Sequence, residues 1–302
     1  MNTNSMCVGL RIVAFFLITT FAAGMAFASS GEDSLRESQA LRQEQIRNAE
    51  KQIETRPVRI IYAGFALDHT STGFLHDMQS MSAVVKRMSA ANVQLMSSNG
   101  ASAADQQYPQ ATQTDFAETI ANVSRLADKI LAQEGNSPLI VLLLSSHGSP
   151  GHLVMSTVER PDWVSSAQLA RILAPLEKHP TLVIISSCYA GSHDQALRSE
   201  KRMLLYSSAP NNTSMGCAVD SKNTWFIAAL ASSFKPGLSL RDWYSEAFMQ
   251  IHVKEKAHYI QRRAEPFLRI GKSMLDYASQ PLTQMLNTSA TRTAGAGAKA
   301  MP

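Results

Sequence analysis

The chain has 302 residues, enough for one large buried core or one core with arms, and its 45% hydrophobic and 17% charged content excludes wholesale disorder. Its net charge of +4 is mild and scattered. No Lys/Arg block with interleaved aromatics occurs, so a nucleic-acid partner is not expected.

At the N-terminus Arg11 precedes an apolar run, residues 12–28, which closes on Ala26-Phe27-Ala28. A cation, an apolar stretch and a small-residue end form the pattern of a cleavable export signal. The run also approaches the length of a membrane span, which leaves an uncleaved anchor as the alternative. The expectation is an exported chain, periplasmic or secreted, that meets a membrane only if residues 1–28 stay attached. Cys7 precedes the run, badly placed to carry a lipid after cleavage. Loss of the signal leaves Cys188 and Cys217, and an exported pair is often a disulfide. A core of this size needs no such staple.

Residues 29–56 are rich in helix formers and polar nearly all round; Leu35, Ile46 and Ile53 are too sparse for a wide apolar face. An exposed helical arm is expected, either a spacer or a removable prosegment. From residue 57 the pattern changes. Residues 58–63 (VRIIYA) read as a strand and 64–72 as a loop. Residues 73–90 carry Phe74, Met78, Met81, Val84, Val85 and Met88 at helical spacing, with the methionines as core filling. A strand at 92–96, a polar loop and an amphipathic helix over 115–133 follow. Residues 139–144 (LIVLLL) and 182–185 (LVII) have no polar alternation, as expected of strands covered on both faces. Between them lies a helix capped by Ser165 or Ser166. A strand at 203–206, helices over 224–234 and 240–263, and a last strand within 265–271 complete the expected domain, residues 57–275. Residues 276–302 are expected to form a flexible tail.

Strands alternating with amphipathic helices predict a mostly parallel sheet with helices on both faces, and in such sheets chemistry gathers beyond the carboxyl ends of the strands. Two residues there have complementary chemistry: His147, after residues 139–144, and Cys188, after residues 182–185. A thiolate attacks and an imidazole can take and return its proton. Gly148 lets backbone approach a substrate closely. A histidine roughly 40 residues before a cysteine, on neighbouring strands, is the order seen in caspases. The serine pairs Ser145-Ser146 and Ser207-Ser208 are read as satisfying strand-end backbone groups. Other histidines carry less: His152 and His193 are placed near the rim, His69 and His76 as specificity candidates, and His179, His252 and His258 on the surface. No zinc spacing, HExxH or G-x-S-x-G elbow is present.

The motifs Ser146-His147-Gly148-Ser149-Pro150-Gly151 and Ser186-Ser187-Cys188-Tyr189-Ala190-Gly191-Ser192 resemble those of the C13 (legumain-type) cysteine peptidases of the caspase-like clan. Later blocks match in order: Tyr206-Ser207-Ser208-Ala209, Ser214-Met215-Gly216-Cys217, Thr224-Trp225-Phe226 and Ala264-Glu265-Pro266. The resemblance, over about residues 57–275, implies a caspase-like three-layer α/β/α sandwich with a mostly parallel sheet of about six strands. It implies no metal or organic cofactor and a peptide or protein substrate, cut or in some members ligated. Carried over, Cys188 is the nucleophile, His147 the general base and acid, and the N–H groups of Gly148 and Cys188 the oxyanion donors. His76, Ser186 and Thr213 are the substrate-binding candidates. The sequence also departs from the family. Asparagine-cutting legumains keep an acid where Ser186 stands, an Arg-His pair near Phe74-Leu75-His76, an asparagine near Gly64-Phe65-Ala66 and a carboxylate near Ala228. Strict asparagine recognition is therefore not expected. A catalytically silent peptide-binding domain and a transamidase remain the alternatives.

Overall fold

The computed structural model describes residues 9–286, with side chains from residue 32 onward. The expected export segment lies outside these side chains, and residues 287–302 of the expected tail lie outside the described residues. In chain order the elements are α1 (Gly9–Thr55), β1 (Ile60–Ala66), α2 (Thr72–Met88), β2 (Asn92–Ser98), α3 (Gln113–Glu134), β3 (Leu139–Ser145), β4 (Gly148–Ser149), β5 (His152–Val154) and β6 (Trp163–Ser165). They continue with α4 (Ser166–Leu173), β7 (Thr181–Ser186), α5 (Asp194–Leu197), β8 (Arg202–Tyr206), α6 (Trp225–Ser233), α7 (Leu240–Ala257), β9 (Phe267–Ile270), α8 (Leu275–Ser279) and α9 (Leu282–Met285).

Six strands form one sheet in the order β2-β1-β3-β7-β8-β9, parallel except for β9, and helices cover both faces. This is the caspase-like α/β sandwich. Strand side chains alternate between the faces, and on the two central strands both sets are apolar. Ile140, Leu142, Leu144, Val183 and Ile185 enter the core shared with α1, α3 and α4. Val141, Leu143, Leu182 and Ile184 enter the core shared with α2, α6 and α7. Two buried faces are why these runs show no polar alternation. The chain leaves β1 for β2 on one side and returns to β3 on the other, so the order reverses between β1 and β3, where open α/β sheets hold their ligands.

The expected polar arm is a docked element of the domain. In α1, Ser38, Arg42, Ala49 and Ile53 are buried, and the seam is largely polar, which hid it from an apolar-periodicity reading. The Gln45 side chain donates to the Met96 carbonyl at 2.9 Å and accepts from the Met96 N–H at 3.0 Å. It thereby satisfies backbone groups on β2, the open edge of the sheet. Arg42, nearly enclosed, pairs with Asp115 at 2.5 Å and Glu118 at 3.0 Å at the start of α3. Removing one partner of a buried pair strands the other charge. Arg42→Ala is therefore expected to destabilise the domain by about 3–5 kcal/mol, read from urea unfolding midpoints. The expected tail also begins later than the sequence suggests: α8 and α9 fold, with Ala278, Leu282 and Leu286 buried against the α7 side. Their few apolar residues are too short a run to show a helical period.

Candidate active site

β3 and β7 pair in parallel with Ser145 opposite Ser186, and the Ser146 N–H extends the ladder to the Ser186 carbonyl at 3.1 Å. The two strands therefore end flush, and His147 and Cys188 each follow two residues later. By alternation, Ser145 and His147 continue the Val141/Leu143 row, and Ser186 and Cys188 continue the Leu182/Ile184 row. Both rows face α2. The first turns of that helix supply Phe74, whose buried ring meets the His147 ring edge-on, centroids 5.0 Å apart at 90°. Among the described residues no side chain hydrogen-bonds to the His147 ring.

Close approach is built in at Gly148: a Cβ there would lie 2.5 Å from the Cys188 carbonyl oxygen. Only glycine lets the backbone after β3 touch the backbone after β7 so closely. A short antiparallel sheet, β4-β5-β6, follows Gly148. A hydroxyl clamp then joins the two strand-end loops. The Gly151 N–H donates to Ser192 Oγ at 2.8 Å, and the Ser166 N–H donates to the Gly151 carbonyl at 2.9 Å. Ser166 Oγ is 2.8 Å from Nδ1 of His193. His193 is buried, not on the open rim, and burial pushes its imidazole down to about 4, so it stays neutral.

The cysteine turn is equally specified. Tyr189, immediately after Cys188, adopts a left-handed conformation (φ 57°) that a non-glycine residue seldom takes, and its N–H donates to the Asn212 carbonyl at 2.8 Å. The N–H groups of Ser187, Ala190 and Gly191 are bound by Ser207 Oγ, Ser208 Oγ and the Ser208 carbonyl. Across Ser187–Gly191 the Cys188 N–H alone has no partner among the described residues. Ser207 and Ser208 satisfy strand-end backbone as expected and Ser146 Oγ donates to the Val154 carbonyl at 2.6 Å, but the Ser145 hydroxyl turns instead to the Asp77 carboxylate, 2.7 Å away.

Cys188 and Cys217 are both free thiols and half-buried, and the Cys188 sulfur lies 3.5 Å from the Ser214 carbonyl oxygen. The Cys217 S–H is the main influence pushing the Cys188 thiol down to about 6, and the Ser214 N–H, 3.4 Å from the sulfur, acts the same way against burial. Cys217, having to keep its proton beside that sulfur, is pushed up.

The substrate-binding candidates separate. Thr213 and His76 are half-buried, with Nδ1 of His76 lying 3.3 Å from the Ser221 carbonyl. Ser186 is fully enclosed, its hydroxyl 2.8 Å from Thr224 Oγ1, so it faces the interior. Its position in the inward row explains this. His179, expected on the surface, is also buried, with Nδ1 2.7 Å from Ser137 Oγ. One residue the sequence reading passed over is Asp77, fully buried under the strand ends. Its signal is an acid three residues after Phe74 and one before Met78, on the apolar stripe of a helix. Among the described residues no group of three or more His, Cys, Asp or Glu is arranged to hold a metal ion, and no helix is long and apolar enough to cross a membrane.

An imidazole and a low-pKa thiol stand on adjacent carboxyl ends of a parallel α/β sheet, with glycine between their backbones, the arrangement expected of cysteine hydrolases on a caspase-like fold. The family model for the peptidase C13 family matches residues 78–265. The chain belongs to that family and has a cysteine-peptidase-like function in general terms. No curated protein matches the sequence.

Proposed function

We propose that the chain is an exported cysteine-type endopeptidase that works through a Cys188–His147 dyad. The observation that carries this reading is the cysteine turn itself, with its lowered thiol pKa beside a backbone N–H left without a partner. In the proposed sequence His147 takes the Cys188 proton, the sulfur attacks the scissile carbonyl carbon and the carbonyl π electrons move to oxygen. The Cys188 N–H and the Gly148 N–H donate to that oxyanion. As the tetrahedral centre collapses, the C–N bond breaks and His147 protonates the leaving amine. Water, deprotonated by His147, then hydrolyses the thioester and frees the sulfur. Phe74 holds the imidazole by its ring edge, so the pair acts without a third hydrogen-bonding member.

The reading does not include strict asparagine specificity. Ser186 brings no carboxylate and is turned away from solvent against Thr224, which favours a neutral pocket near Thr213 and His76. The export pattern of residues 1–28 supports a periplasmic or secreted location. The α1 helix covers the β2 edge, two strands away from β3, which favours a structural role for residues 29–56 over an inhibitory one.

A mixed peptide library incubated with purified mature protein is expected to yield discrete cut sites by mass spectrometry, without enrichment for asparagine at P1. Ligated products would instead indicate a transamidase. Intact peptides, with the Cys188 thiol shown to be free, would sink the peptidase reading in favour of a peptide-binding domain.

A further inference from the structure

We infer that Asp77 is the positioning residue of this site: its buried carboxylate fixes the spacing of the two strand ends that carry His147 and Cys188. The inference rests on the reading of those two residues as the reacting pair.

Asp77 accepts four hydrogen bonds. Oδ1 accepts from Asn223 Nδ2 at 3.0 Å and from the Thr224 N–H at 2.9 Å. Oδ2 accepts from Ser145 Oγ at 2.7 Å and from Thr224 Oγ1 at 2.8 Å. Thr224 Oγ1 gives its proton to Asp77 and so accepts from Ser186 Oγ, 2.8 Å away. The chain of donors thus runs Ser186 to Thr224 to Asp77, with Ser145 entering from the other strand. Ser145 and Ser186 are register partners, each two residues ahead of a member of the pair. One carboxylate on α2 therefore holds the last inward side chain of β3 directly and that of β7 through a single hydroxyl. The same helix places Phe74, one turn earlier, against the His147 ring. Thr224 caps α6 through the Ile227 N–H, which ties the segment following Cys217 to the same carboxylate.

The number of protons in this cluster is complete only when Asp77 is ionised, because every group facing it is a donor. A neutral amide in its place turns two hydrogens toward Ser145 and Thr224, and those hydroxyls must rotate away. A displacement of about 1 Å at a reacting pair costs on the order of a hundredfold in rate. A network that served stability alone would register its loss in the unfolding midpoint and leave kcat intact.

The test is steady-state cleavage of a peptide taken from the library cut site. Asp77→Asn is expected to lower kcat by about 10–100-fold with KM within about twofold of the parent. If Asp77→Asn does not fold, Thr224→Val and Ser145→Ala carry the test: each is expected to lower kcat by several-fold, and Thr224→Ser, which keeps the hydroxyl, to restore it. Unchanged kcat in folded Asp77→Asn, or in both hydroxyl variants, overturns the inference, as does a rise in KM alone. Loss of activity in Cys188→Ala together with full activity in Asp77→Asn would overturn the inference and spare the dyad. Activity retained in Cys188→Ala would remove both.

Discussion

A Cys188→Ala protein is expected to fold as the parent does and to cleave no peptide. Without the sulfur there is no covalent intermediate, and the remaining oxyanion donors act only on slow attack by water, so kcat should fall by about 10⁴-fold or more. The structural cost is small. Cys188 is half-exposed, and its loss frees the N–H and carbonyl of Ser214, about 1 kcal/mol together. His147→Ala should lower kcat by about 10²–10⁴-fold, the range for a lost general acid–base group. The double variant should be no worse than Cys188→Ala, because the two residues act as one unit. A fluorogenic peptide built on a library cut site, with unfolding midpoints measured in parallel, separates chemistry from stability. Cleavage by Cys188→Ala within tenfold of the parent would show that the nucleophile is another group.

The strands that frame the site were legible because their physics is simple. β3 and β7 are apolar on both faces, and an unbroken run of Leu, Ile and Val ending in Ser-His-Gly or Ser-Cys reads the same in sequence and in space. What could not be read is polar and non-local. The docking of α1 depends on Gln45 imitating a neighbouring strand and on Arg42 reaching Asp115, more than 70 positions away. β4, β5 and β6 are two or three residues each, too short for a period. Ser186 looked like a substrate contact from its place in the motif. Its inward row and Thr224, 38 positions on, enclose it instead. Asp77 carried a readable anomaly, an acid on an apolar stripe, but not its four donors, which come from two distant segments, Ser145 on one side and Asn223-Thr224 on the other.

The pH dependence of alkylation should set Cys188 apart from an ordinary thiol. Iodoacetamide reacts with the thiolate, so the rate climbs tenfold per pH unit below the pKa and levels off above it. With its thiol pushed down to about 6, Cys188 should reach its plateau by about pH 7, whereas an unperturbed thiol is still rising at pH 8. At pH 6 half of Cys188 is thiolate against about 0.3% of a thiol of pKa about 8.5, on the order of 150-fold more. A less basic sulfur is also a poorer nucleophile, which removes about tenfold of that, so a net advantage of about tenfold is expected. Cys217 keeps its proton beside Cys188, and label should appear on Cys188 first when the modified peptides are mapped. Removing that donor with Cys217→Ala should move the Cys188 midpoint upward, since the Ser214 N–H then acts alone against burial. The measurement belongs in reductant, because a disulfide between Cys188 and Cys217 would withdraw both from the label. A midpoint above pH 8 in the parent, or label arriving first at Cys217, would mean that the Cys217 proton does not stabilise the Cys188 thiolate. The turn would then be a structural thiol pair and not a nucleophile held ready.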